Sequence, residues 1–177
     1  MLAYLFVALA LIMRIPSVPH PWGFTPVTAA LLYFGARGFR KQMWIPLALF
    51  IGSDVILDKY FYSYPLSWDL FLTWAWYAGI LLLGSRLRDN VKPLPVLGAA
   101  LSGSISFFVI SNFGVWAATA MYAKTWAGLM ACYVAAIPFF RNTLEGDLVF
   151  TAAMFGLPAL ASMLAGSLDK PHGTAAA

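Results

Sequence analysis

The chain has 177 residues, of which 62% are hydrophobic, 16% aromatic and only 10% charged, with a net charge of +4. Such a composition argues against a water-exposed globule, because it supplies too little polar area to cover one, and the length leaves no room for a nucleotide-binding domain beside a membrane domain. The positive charge is spread over loops rather than clustered, which argues against a nucleic-acid partner, and one cysteine, Cys132, excludes an intrachain disulfide and a cysteine-built metal cluster.

The pattern predicts an all-α membrane protein with six transmembrane helices in a single domain over residues 1–168, followed by a flexible cytoplasmic tail over 169–177. Met1 to Met13 lacks the basic start and cleavage site of a signal peptide and is expected to be a retained first helix. Trp22 to Ala36, Met43 to about Phe61, Trp68 to Gly84, Leu94 to Tyr122 and Leu144 to Gly166 follow as the next five. The uncharged runs Pro93 to Ala123 and Leu148 to Leu168 are the clearest, since roughly 18 or more apolar residues are needed to cross a core of about 30 Å. Thr125 to Phe140 is uncharged but short, and is expected to form a separate re-entrant or interfacial piece between the fifth and sixth helices.

Orientation follows from Lys and Arg, which accumulate in short cytoplasmic loops. Arg37, Arg40 and Lys41 follow the second helix and Arg86, Arg88 and Lys92 the fourth, whereas the opposite loops hold fewer cations. Both termini are then expected in the cytoplasm of a bacterial cell, with the chain in the cytoplasmic (inner) membrane. The outer loops are aromatic and proline-rich, with His20 and Trp22 in the first, Tyr62 in the second and Trp116 at the third. An aromatic belt accounts for part of this, and a lid over a pocket for a flat, partly apolar solute is the sharper reading.

Polar residues at membrane depth supply the remaining candidates. A helix that stopped before Asp54 would be too short to span, so the third helix must continue through Asp54 and on to Asp58. A carboxylate there costs on the order of 3 kcal/mol unless paired, hydrated or neutral, so Asp54 either pairs with a cation such as Arg14 or Arg141, caps a broken helix, or serves binding, gating or proton coupling. Arg141, Asn142 and Glu145 stand at i, i+3 and i+4 spacings at the entry to the sixth helix, where they form either a helix start or a polar cluster facing the pocket. Asn112, deep in the fifth segment, either stitches two helices or touches a solute. Gly98, Ala99, Ser102, Gly103 and Ser106 read as a close-packing face. No catalytic motif is present, and neither an enzyme, a cofactor nor a metal site is expected.

Phe24-Thr25-Pro26-Val27-Thr28-Ala29-Ala30, Leu31 to Ala36 and Gly52-Ser53-Asp54-Val55-Ile56 resemble the second and third helices of S components, the substrate-binding membrane subunits of energy-coupling factor vitamin transporters. Ile137 to Phe140 followed by Glu145-Gly146-Asp147-Leu148 is similar to the start of their sixth helix. Ser111 to Trp116 and the Pro-Phe-Phe-Arg-Asn-Thr-Leu string also look like a small family of uncharacterised bacterial membrane proteins. The resemblance implies a high-affinity binding subunit for a vitamin-like micronutrient, loaded from the outer face and energised by an ATPase pair and a scaffold membrane subunit. The two alanines at i, i+4 that serve docking in that family are missing, since Ala3 is followed by Val7 and Ala8 by Ile12. A solitary proton-coupled carrier and a helical packing subunit of a larger membrane complex stay open beside it.

Overall fold

Short charged loops between apolar segments produce an up-and-down helical bundle. The computed structural model describes residues 1–168, and the expected tail at 169–177 lies outside the described residues. Among the described residues there are six α-helices and no strand: α1 Leu2–Met13, α2 Val27–Arg37, α3 Trp44–Ile56, α4 Leu70–Arg86, α5 Pro93–Ala118 and α6 Trp126–Leu168. A 3₁₀ turn, Arg40–Gln42, leads into α3, which runs on as a π-helical turn, Leu57–Tyr62. That turn ends at Ser63, whose φ of 55° gives the left-handed cap that closes a helix.

Helix direction can be read from the contacts. The Tyr4 hydroxyl donates to Gln42 at one end of the bundle, and Arg14 reaches Ser53 and Asp54 at the other, so α1 and α3 run parallel. Arg88 Nη2 donates to Gly38 O at 2.6 Å, which ties the loop after α4 to the loop after α2. The basic loops therefore share one end, as their charge pattern predicts. Cysteine accessibility tests the expected membrane topology: residues introduced at positions 40 and 62 are expected to label from opposite sides, and labelling of both from one side would refute it.

α2 is the axis of the fold. Every residue from Thr28 to Ala36 is buried, and α1, α4, α5 and α6 all pack against it. A helix buried on all sides must be apolar all round, and Ala29-Ala30-Leu31-Leu32-Tyr33-Phe34 meets that demand. At the α2–α4 crossing a Cβ on Gly35 would lie 2.8 Å from Gly84 Cα, and one on Gly84 would lie 2.9 Å from Leu32 Cα. The two backbones meet where neither helix carries a side chain, the way small residues let membrane helices approach. Gly103 of α5 plays the same part against Thr28, whereas Gly98 and Ser102 of the expected packing face point outward.

Two expectations are corrected. Thr125 to Phe140 is not a separate re-entrant or interfacial piece: from Trp126 it is the beginning of α6, which runs unbroken for 43 residues. Pro138 and Pro158 both lie inside that helix, because a proline in a membrane-type helix is tolerated where neighbours re-satisfy the freed carbonyl. Second, among the described residues only α5 and α6 are individually long and apolar enough to cross a membrane. The others fall short of the roughly 20 residues of a full span: α1 has 12, α2 11, α3 13 and α4 17. The second segment begins as a helix at Val27, not Trp22, because Pro21, Gly23 and Pro26 keep the preceding stretch in turns.

Candidate functional site

The end of the bundle opposite the basic loops is organised around Arg14, which stands just past α1 with its side chain 17% exposed. Asp54, on α3 and 4% exposed, accepts from Arg14 Nη2 and from the Tyr77 hydroxyl (3.2 Å) on Oδ1, and from Trp74 Nε1 (3.0 Å) on Oδ2. The second guanidinium nitrogen donates to Ser53 Oγ at 2.9 Å and to the Tyr77 oxygen at 3.2 Å. Of the roles open to Asp54, the geometry realises the ion pair with Arg14. Both carboxylate oxygens are taken by protein donors, as a charge buried in an apolar bundle requires.

Above this network lies a cavity of about 230 Å³, lined by Arg14, Pro16, Val18, His20, Trp22, Gly23, Thr25, Leu57, Asp58 and Tyr62. Trp22 and Tyr62 meet edge to face with ring centroids 5.9 Å apart, and Tyr64 stacks on Tyr62 at 5.8 Å. His20 is a strut: Nε2 lies 2.5 Å from Met13 O and Nδ1 2.9 Å from Pro21 O, which fixes the fold of the loop between α1 and α2. Asp58 reaches the wall because the π-helical turn carries α3 one further turn outward.

The same loop is fastened to α6. Asn142 Nδ2 donates to Trp22 O at 3.0 Å, Gly23 at φ 86° sits where a Cβ would lie 2.8 Å from Thr143 Oγ1, and a Cβ on Gly146 would lie 3.3 Å from Phe24. Asn142 and Gly146, spaced i, i+4, thus share the face that receives the loop. Arg141 and Glu145 share the neighbouring face and pair with each other at 2.9 Å, 80% and 54% exposed, so they contribute little to the site.

Asn112 and Trp116 lie apart from the cavity. Asn112 Nδ2 donates to Phe108 O within its own helix, and the backbone carbonyl of Asn112 accepts from the Cys132 thiol at 3.4 Å. Trp116 Nε1 donates to Ala123 O at 2.9 Å, and the Lys124 ammonium binds the Trp116 carbonyl, so this pair closes the turn between α5 and α6. Of the nine sequence-derived candidates, His20, Trp22 and Tyr62 line one cavity, Asn142 and Asp54 support it, and the other four do not converge on it.

The family model DUF6580 matches residues 1–168. The chain belongs to this family, whose function is unknown. No curated protein and no solved structure matches it.

Two parts of this DUF6580 member escaped the sequence. Asp147 is 1% exposed, accepts from Ser104 at 2.6 Å with the Thr28 hydroxyl beside it, and has no cation partner among the described residues. A sixth helix starting at Leu144 would place Asp147 in the first turn, where an acid is ordinary. With α6 starting at Trp126, it stands at mid-helix. Trp74 and Tyr77 were missed because they lie among the apolar residues of the fourth segment, although an indole and a phenol three residues apart on one helix face are a recognisable pair of donors.

Proposed function

We propose that this protein is a multi-pass protein of the bacterial cytoplasmic membrane, with six crossings and both termini inside, that binds a small solute at its outer end and serves its uptake as an S component does. The observation that carries the reading is the convergence of Trp22, Tyr62 and Asp58 on one cavity whose floor, Arg14 and Asp54, is already neutralised. α3 with its π-helical turn extends from Trp44 to Tyr62, close to the roughly 20 residues of a span. The shorter α2 is enclosed by protein and meets no lipid, so the spanning length does not bind it.

The wall chemistry narrows the solute. Arg14 is committed to Asp54, whereas the Asp58 carboxylate has no ion-pair or hydrogen-bond partner among the described residues. A planar ring carrying a donor or cationic group, stacked against Trp22 or Tyr62, fits that lining. The cavity is smaller than the roughly 300–1,000 Å³ of drug-sized sites, which favours a vitamin-sized solute or a precursor.

Native mass spectrometry of the gently purified protein, followed by titration with vitamins and their precursors, tests the reading. Trp22→Ala and Tyr62→Ala are each expected to weaken binding about tenfold, or roughly 1.4 kcal/mol. Arg141→Ala is expected to leave it unchanged. If no solute co-purifies and none of the panel binds below about millimolar, roughly −4 kcal/mol, solute binding is refuted and the packing-subunit reading replaces it.

A further inference from the structure

At the opposite end of the bundle, a cavity of about 690 Å³ separates α2, α5 and α6, a volume inside the roughly 300–1,000 Å³ of small-ligand sites. α6 holds to α5 from Tyr133, whose hydroxyl donates to Val109 O at 2.8 Å, down to Asp147 on Ser104. Beyond Asp147 the cavity lies between α6 and the first turns of α5. Its walls are apolar, with Val96, Ala100 and Phe155 among them. Among the polar groups of the lining, the hydroxyl of Thr151, a residue 4% exposed and one helical turn past Asp147, is buried with no hydrogen-bond partner.

The rim carries charge of one sign. Arg37, in the last turn of α2, and Lys92, just before α5, both line the cavity, are exposed, and pair with no carboxylate among the described residues. Tyr33, one turn before Arg37, lines the wall beneath it. The cavity also opens sideways between α5 and α6, where the lining residues Leu97 and Ala159 are exposed on the bundle's flank. Two unpaired cations over an apolar cleft that faces the bilayer define an anionic amphiphile.

We propose that this cavity holds one anionic phospholipid of the adjoining leaflet. Its phosphate lies between Arg37 and Lys92, and one acyl chain fills the cleft between α5 and α6. A soluble phosphate ester shares the headgroup chemistry, but the apolar walls and lateral opening select the lipid. The inference rests on the membrane reading above and is independent of the outer solute site.

The test uses the full chain in nanodiscs of equal parts phosphatidylglycerol and phosphatidylcholine, released into native mass spectrometry. One retained phosphatidylglycerol is expected. The variant Arg37→Gln with Lys92→Gln is expected to weaken retention about tenfold with its helical circular dichroism and melting temperature unchanged, since both side chains are exposed. Ala152→Phe, which fills the cleft and keeps both cations, is expected to abolish retention, and Trp22→Ala at the outer site to leave it intact. Equal retention of phosphatidylcholine, undiminished retention in the charge variant, or displacement of the lipid by glycerol phosphate overturns the proposal. Retained phosphatidylglycerol in a protein that binds no outer solute would refute the solute reading alone.

Discussion

Asp54→Leu is expected to destabilise the protein by about 3–5 kcal/mol, the cost of stranding one member of a buried ion pair. The leucine leaves the Arg14 guanidinium, itself only 17% exposed, without its carboxylate, and removes the acceptor of Trp74 Nε1 and the Tyr77 hydroxyl in the same step. Asp54→Asn also removes the charge facing Arg14 but keeps one acceptor oxygen, so Arg14 and Tyr77 or Trp74 stay hydrogen-bonded, and a loss smaller than that of the leucine variant is expected. Arg14→Met combined with Asp54→Leu is expected to recover most of the loss, because no charge is then left buried. Denaturant unfolding in detergent micelles, followed by circular dichroism, measures all three. Equal losses for the leucine and asparagine variants would show that the carboxylate network is not what holds α1, α3 and α4 together at this end.

The second large effect is expected at the α2–α4 crossing. Gly84→Ala places a methyl inside van der Waals contact of the Leu32 backbone, and Gly35→Ala does the same against Leu81 and Gly84. A backbone neighbour cannot rotate away as a side chain does, so the helices must separate along a buried seam. The expected cost is at the upper end of the roughly 1–3 kcal/mol of core overpacking. Gly79→Ala, on the same helix but with nothing within 4 Å of the added carbon, is the matched control and is expected to be neutral or slightly stabilising. Equal melting temperatures for the Gly79 and Gly84 variants would remove the close approach from the account of the fold.

The helical class and the shared end of the two basic loops were legible because they depend on composition and on charge position alone. The need for Asp54 to be paired was legible too, since a length argument carried α3 past it and Arg14 was a cation within reach. The course of α6 was not. Pro138 and the polar string from Arg141 to Asp147 read as a helix start, and only packing against α5 decides that the helix passes straight through them. That one boundary displaced three assignments: it hid Asp147 at mid-helix, made Arg141 and Glu145 look inward, and obscured that Asn142 holds the Trp22 loop. Asn112 and Trp116 were selected for depth and aromaticity, which do not encode the direction a side chain takes from a helix. Here those directions lead to Phe108 and Ala123.

The burial of α2 on every side bears on the order in which the molecule is assembled. Eleven residues rising 1.5 Å each extend only about 16 Å, so the segment cannot hold a transbilayer position by itself. Its lodging is made by α4, α5 and α6, which are synthesised after it, with contacts such as Gly23 on Thr143 and Tyr33 on Phe155 closing loops of more than a hundred residues. A nascent chain released before α4 therefore has an axis without a sheath. Truncation series should show α2 accessible to reagents from the water until α6 has emerged, and the finished bundle forms by late enclosure of an early segment instead of by stepwise stacking of independent spans.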